Sequence, residues 1–111
     1  MRVLDGEQVL MRIFIGEADR HEGKPLHRAI VEKLRTEGIA GATVLRALLG
    51  YGAKSHMHTA SLLRLSQDLP LVIEVVDSQE HIDAVLPALD AMLEGGLVTL
   101  EKVRVLRYAP R

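Results

Sequence analysis

The sequence predicts an α+β fold of the ferredoxin-like type, with the element order βαββαβ. Four stretches carry apolar residues at alternate positions, which is typical of strands, and two others carry apolar residues three or four positions apart, which is typical of helices. Their order along the chain is that of the split βαβ motif. A length of 111 residues suits one domain rather than two. We therefore expect a single domain over residues 1–111, with a four-stranded antiparallel sheet and two helices on one face.

The first half of the chain supplies a strand, a helix and a second strand. Residues 9–15 alternate in polarity and predict the first strand, and the polar residues 16–23 predict a loop. Pro25 suits the first turn of a helix, and Gly38 is placed to end it. Residues 43–49 predict the second strand. The apolar face of this helix is formed by Leu26, Ala29, Ile30 and Leu34.

A long excursion separates the second and third strands. It covers residues 50–68, which is longer than most connections within a domain. Loops of this length often serve binding or move on binding. Residues 71–76 then predict the third strand.

The last part of the chain predicts a helix and a strand. Asp77 is a candidate N-cap, with Glu80 placed for a capping box. Pro87 lies inside the helix and should kink it. The glycine pair at 95–96 ends the helix, and residues 97–108 form the fourth strand. The apolar face of this helix is formed by Ile82, Val85, Leu86, Leu89 and Leu93.

Residue parity in the four strands predicts two different sheet faces, because side chains alternate across a sheet. Odd positions are almost purely apolar and should lie under the helices. Even positions mix apolar residues with the charged residues Arg12, Arg46, Glu74 and Arg104. Such a face is too apolar for open water, so we expect a protein interface in which the charges pair. The alternative is a solvated face with scattered apolar residues.

Composition excludes several functional classes. The net charge is −1 and the aromatic residues are Phe14, Tyr51 and Tyr108, which argues against nucleic-acid binding. The chain has no cysteine, so thiol catalysis is excluded and a reducing cytoplasm is expected. There is no apolar run of the length that crosses a membrane, and no signal peptide is evident at the N-terminus.

The start of the excursion carries the most informative motif. Gly50 and Gly52 allow close approach of a ligand to backbone N–H groups, and Tyr51 between them could pack on a ring. Lys54 and Arg107 could meet a negatively charged group. The alternative is a flexible loop whose glycines only serve turns. The spacing does not match a Walker phosphate-binding loop.

Two further groups of residues are candidates for metal binding or catalysis. His56 and His58 would share one face of an extended segment and could ligate a metal with a third ligand from elsewhere. The alternative is a pair of exposed loop histidines. The charged loop 17–22 could supply acid/base groups. However, it has no accompanying nucleophile or oxyanion hole, and a solvated loop is the simpler interpretation.

Several stretches together resemble the PII-like family of small bacterial and archaeal proteins that are labelled as a domain of unknown function. The resemblance covers nearly the whole chain. It rests on residues 15–20, 23–26, 38–44, 50–59, 65–70 and 72–77. More distantly, Gly50-Tyr51-Gly52 falls where PII signal transducers carry Gly-Phe-Gly at the base of their effector loop.

This resemblance implies a trimer with ligand clefts between subunits. In PII proteins those clefts take adenine nucleotides, and the loop that follows docks on a transporter or an enzyme. The link at residues 94–97 departs from the PII pattern because it is short and lacks the Gly-Asp-Gly-Lys phosphate loop. The shorter nucleotides AMP and ADP are therefore expected in preference to ATP.

The sequence therefore predicts a cytoplasmic, homotrimeric regulatory protein that senses a small anionic ligand and acts on a partner protein. The expected ligand contacts are Gly50, Tyr51, Gly52, Lys54 and Arg107. One alternative is a metal-responsive trimer of the cation-tolerance type that uses the two loop histidines. A second alternative is a small ferredoxin-like enzyme that uses the charged loop.

Overall fold

The computed structural model describes residues 3–52 and 68–109 of the chain, and it confirms the predicted fold class. A four-stranded antiparallel sheet has the order β4-β5-β1-β6, and a two-residue ribbon pairs β2 with β3. The elements are β1 (Gly6–Gly16), β2 (Arg20–His21), β3 (Lys24–Pro25), α1 (Leu26–Thr36), β4 (Thr43–Arg46), β5 (Pro70–Asp77), α2 (Gln79–Met92) and β6 (Leu97–Val105).

The hydrophobic core lies between one face of the sheet and the two helices. Alternate residues of β1 and β5 are buried there, as are the apolar faces of α1 and α2. Burial of such side chains is the main favourable term in folding. The cluster includes Met11, Ile13, Ile73, Ile30 and Ile82, each of which is fully enclosed.

Helix α1 follows the prediction closely. Pro25 is the N-cap residue, and the last turn carries Lys33 and Arg35, which suits the negative end of the helix dipole. Gly38 takes a positive φ of 84°, and the Ile39 N–H donates to the Leu34 carbonyl. This backbone reversal ends the helix and buries Ile39 in the core.

The start of α2 differs from the prediction by one residue. Ser78, not Asp77, is the N-cap, and its hydroxyl oxygen accepts a hydrogen bond from the His81 N–H at 3.2 Å. The carboxylate of Asp77 is instead buried and accepts from the N–H groups of Ala40 and Ser78. Glu80 therefore occupies the position before N3, and the predicted capping box was wrong.

Helix α2 also ends earlier than the predicted end at the glycine pair 95–96. The helix runs through Pro87 and stops at Met92, where Leu93 is extended and donates its N–H to the Leu89 carbonyl. Gly96 lies just before β6 with a φ of 94°, and a Cβ there would meet the Phe14 carbonyl oxygen at 2.7 Å. That position therefore requires glycine, which the short link into β6 provides.

Three strand ends lie three residues from their predicted positions, and the short ribbon of β2 and β3 was not predicted. Strand β1 begins at Gly6, and the predicted loop 16–23 contains β2. Strand β6 stops at Val105 rather than at 108. Strand β4 stops at Arg46 rather than at 49, because its partner β5 begins at Pro70, which lacks an N–H to continue the ladder.

The parity prediction was correct for β1 and β5 and wrong for the edge strands. In the register, Ile13 faces Ile73, so odd positions of β1 and β5 share the core side. In β6 the partner of Ile13 is Val98, and in β4 the partner of Ile73 is Val44. In β4 and β6 the even positions, not the predicted odd ones, therefore lie on the core side. This shift of one position moves every side chain of these two strands to the other face. Arg46 and Arg104 consequently leave the face on which they were predicted.

The sheet face without helices, here called the open face, is apolar around a central charge cluster. Arg12 lies in its middle and donates to Glu74 at 2.9 Å and to Glu101 at 2.5 Å. These two hydrogen bonds raise the pKa of Arg12. The apolar residues around the cluster are Leu10, Phe14, Leu45, Val72, Val76, Leu97, Val103 and Val105.

Candidate functional site

The sequence-predicted ligand residues lie at two opposite ends of the sheet. One end, here called the loop end, carries Gly50, Tyr51 and Gly52, which lead into residues 53–67. The other end, here called the cleft end, carries Arg107 just after β6. Lys54, His56 and His58 lie outside the described residues.

At the loop end, the backbone of the glycine motif packs on the start of β5. The Ala47 N–H donates to the Pro70 carbonyl at 2.9 Å, which extends the pairing of β4 by one bond. A Cβ on Gly50 would meet the Pro70 ring at 3.0 Å, so glycine permits this close approach. Tyr51 is 70% exposed, and Leu48 before it is 92% exposed. The motif therefore presents a ring and backbone to a ligand or a partner.

The charged loop after β1 is also at the loop end. Carboxylates from the loop itself and from Asp68, just before β5, hold its turn together. The Asp19 carboxylate accepts from the Gly16 N–H at 3.0 Å, and the Asp68 carboxylate accepts from the Ala18 N–H at 3.1 Å. Glu17 forms an ion pair with Arg46 across to β4. These contacts favour a structural role for the loop over the acid/base role that the sequence left open.

The cleft end holds a concave site of about 490 Å³ on the open face. Its floor and walls combine apolar side chains with a few polar groups, which is the usual composition of a small-molecule site. The lining residues are Leu4, Leu10, Ala40, Gly41, Ala42, Thr43, Glu74, Val76, Val105, Arg107 and Tyr108.

The polar groups of this cleft come from three different segments. Arg107 follows β6, Glu74 belongs to β5, and Thr43 opens β4. Glu74 is already paired with Arg12, whereas Arg107 has no ion-pair partner within residues 3–52 and 68–109. An exposed guanidinium of this kind is available to an anionic group.

Among the residues that the structure describes, a single subunit does not bring the glycine motif and Arg107 together. Gly50 packs on Pro70 at the first residue of β5, and the cleft is lined by Val76 near its last residue. Six residue steps of strand separate these positions, or roughly 20 Å. The glycine motif of one subunit can therefore share a ligand with Arg107 only if Arg107 comes from another subunit.

The sequence interpretation missed two features of the cleft. Glu74 was assigned to the open face but not to a ligand site, although a carboxylate within an apolar strand is a recognisable signal. Thr43 was taken only as the start of a strand. The cleft itself depends on the register of β4 and β6, which was predicted incorrectly.

The described part of the chain contains no group of three or more His, Asp or Glu side chains that could hold a metal ion. The predicted histidine pair stays a prediction because both residues lie outside that part. Neither described helix is long and apolar enough to cross a lipid bilayer.

Comparison with known proteins gives a family and several relatives. Residues 8–105 match the model of DUF190, a family described as "Uncharacterized ACR". A UPF0166 protein of Aquifex aeolicus (strain VF5) is 38% identical over 106 residues, which cover 96% of this chain and 98% of that protein. A UPF0166 protein of Methanocaldococcus jannaschii is 35% identical over 99 residues, or 88% of this chain and 91% of that protein.

Solved structures resemble this fold at lower sequence identity. CPII from Thiomonas intermedia K12, a nitrogen regulatory PII-like protein bound to ADP, AMP and bicarbonate, gives a TM-score of 0.65 at 17% identity. The match covers 95% of this chain and 99% of that chain. A candidate PII-like signalling protein from Thermus thermophilus gives a TM-score of 0.62 at 19% identity, over 92% and 93% of the two chains. These matches establish a PII-like fold.

Proposed function

This chain belongs to the DUF190 family, as its resemblance to PII-like proteins of unknown function predicted, and we propose that it is a homotrimeric regulatory protein. The proposed ligand is a small anionic molecule, an adenine nucleotide such as AMP or ADP, bound between subunits. The proposed output is action on a partner protein in the cytoplasm rather than catalysis.

The observation that supports this proposal is that the glycine motif and the cleft with Arg107 lie at opposite ends of the sheet, whose open face has no helix packed on it. The open face is apolar around the pairing of Arg12 with Glu74 and Glu101. A face of this kind is suited to burial against copies of itself, because its charges are already paired. In a ring whose strands run around the symmetry axis, such packing would bring the loop end of one subunit towards the cleft end of its neighbour.

The cleft end suits the base and sugar of a nucleotide. Its volume of about 490 Å³ falls within the range of small-ligand sites. Leu10, Val76 and Val105 offer an apolar surface for a ring system. Thr43 and Glu74 offer hydroxyl and carboxylate groups for polar atoms, and Arg107 offers a positive charge for a phosphate.

The loop end suits the phosphate side of the same ligand. Gly50 and Gly52 can present backbone N–H groups, and Lys54 would add a second positive charge. Two cations match the charge of a mono- or diphosphate better than that of a triphosphate. The link at residues 94–97 also lacks a phosphate-binding loop, which favours AMP or ADP over ATP.

The relatives support the ligand class. CPII is bound to ADP and AMP in one structure and to ADP and bicarbonate in another, and both share this fold. The proposed contact with a transporter or an enzyme would involve the excursion and the exposed apolar residues at its start, Leu48, Leu49 and Tyr51.

Calorimetric titration of AMP, ADP and ATP into dialysed protein tests the ligand. We expect ADP or AMP to bind more tightly than ATP, and Arg107→Ala to weaken ADP binding by about 10- to 100-fold, because it removes a charge-assisted hydrogen bond. Arg35→Ala, on the exposed side of α1, is the matched control and should leave the affinity unchanged.

Absence of heat and of thermal stabilisation with all three nucleotides at millimolar concentration would refute the proposed ligand. The same titration with zinc, copper and nickel examines the cation-responsive alternative. A strong metal response that is lost in His58→Ala would favour that alternative instead.

A further inference from the structure

The loop between α1 and β4 is held by side chains from two other segments, and both contacts meet at Ala40. The Ala40 N–H donates to the Asp77 carboxylate at 2.9 Å. The Ala40 carbonyl accepts from the Tyr108 hydroxyl at 3.2 Å. The peptide unit before Ala40 is thus fixed to Asp77 at the end of β5. The peptide unit after Ala40 is fixed to Tyr108 in the segment after β6.

Asp77 is the one buried charged residue in the described ranges, 3–52 and 68–109. Burial of a carboxylate costs free energy unless hydrogen bonds compensate it. Here the Ser78 N–H donates to one carboxylate oxygen at 2.7 Å, and Ala40 donates to the other. The first contact belongs to the turn into α2, whereas the second reaches 37 residues back along the chain. The second contact therefore ties the loop to the core of the protein.

Both anchored segments line the cleft. Residues 40–43 belong to its lining, and so do Tyr108 and the adjacent Arg107. The hydrogen bond from Tyr108 to Ala40 joins these two segments. It therefore restricts the backbone that carries the Arg107 guanidinium.

We propose that Asp77 and Tyr108 are positioning residues for the ligand cleft, acting through the two backbone groups of Ala40. This inference rests on the proposed function and deepens it. Asp77 fixes the segment 40–43, and Tyr108 fixes the backbone beside Arg107 relative to that segment. A preorganised site of this kind spends less of its binding free energy on ordering side chains.

A double-mutant cycle between Tyr108 and Arg107, with ADP as the probe, tests the positioning role. Tyr108→Phe should weaken ADP binding about three- to tenfold, because it removes one hydrogen bond without changing the ring. In the Arg107→Ala background the same change should alter the affinity less than twofold, because there is no guanidinium left to position. An equal loss in both backgrounds would overturn the proposal, since a general loosening of the fold affects both alike.

Amide exchange of residues 39–43 provides a second readout that does not depend on a ligand. Exchange there should accelerate in Tyr108→Phe and in Asp77→Ala. It should recover in part in Asp77→Asn, because the amide oxygen can still accept from Ala40. Asp90→Asn, on the exposed side of α2, is the control and should change nothing.

The two readouts separate this inference from the proposed function. If the wild-type protein binds no ADP, the proposed function fails. If, in addition, amide exchange of residues 39–43 is unchanged in the two Asp77 variants and in Tyr108→Phe, the positioning role is overturned as well. If ADP binds and exchange accelerates while the affinity of Tyr108→Phe stays that of the wild type, the function stands and the positioning of the ligand is refuted.

Discussion

Arg12→Glu is expected to convert the proposed trimer into monomers. The substitution places a third carboxylate beside Glu74 and Glu101, which both accept hydrogen bonds from Arg12. In an interface formed by the open face, these charges would be buried without a cation. Breaking a buried ion pair in this way costs about 3–5 kcal/mol, which corresponds to a loss of association of more than 100-fold.

Light scattering after size-exclusion chromatography at micromolar concentration measures this effect. Arg28→Glu makes the same change of charge on the exposed surface of α1 and should remain a trimer. Circular dichroism confirms that both variants are folded. A trimer that persists in folded Arg12→Glu, or a wild-type protein that is monomeric, would contradict the assignment of the open face as the interface.

Mixed trimers are expected to recover a ligand site that each parent variant lacks. Gly52→Val fills space at the loop end, and the fold should tolerate it because a Cβ at this position would meet no atom of residues 3–52 and 68–109 within 4 Å. Arg107→Ala removes the cation at the cleft end. Because the loop end and the cleft end lie about six residue steps of strand apart, or roughly 20 Å, each complete site would need one intact end from each of two neighbours.

Co-refolding or subunit exchange of the two variants measures this complementation. In a random mixture of equal parts, about a quarter of the interfaces combine the two intact ends, so about a quarter of the wild-type ADP capacity should return. The separate homotrimers should show little binding at the same ADP concentration. Failure of the mixture to bind, with mixed trimers verified by mass, would place the ligand within single subunits.

The fold was largely predictable because its signals are local. The apolar spacing of α1, Pro25 at its start and Gly38 at its end determine that helix without reference to the rest of the chain. The N-cap of α2 was less predictable. Asp77 and Ser78 are both good caps, and the choice depends on Ala40, a residue far away in sequence that occupies the Asp77 carboxylate.

The candidate site was only partly predictable, because it depends on register. The glycine motif and Arg107 are visible in the sequence, but their separation along the sheet is not. A shift of one residue in β4 and β6 relative to β1 and β5 moves Arg46 and Arg104 off the open face, whereas Arg12 in β1 stays on it. Parity within a strand cannot reveal this shift, since it is set by pairing between strands.

Native mass spectrometry of the gently purified protein, with and without added ADP, tests the central claim most directly. We predict a trimer that carries up to three nucleotides, with a mass increment of AMP or ADP for each site. Binding should also strengthen the assembly, by about 2.7 kcal/mol per site at a ligand concentration of 100 times Kd. A monomer or a dimer, or a trimer that retains no nucleotide at millimolar ADP, would contradict the account of a nucleotide-sensing trimer.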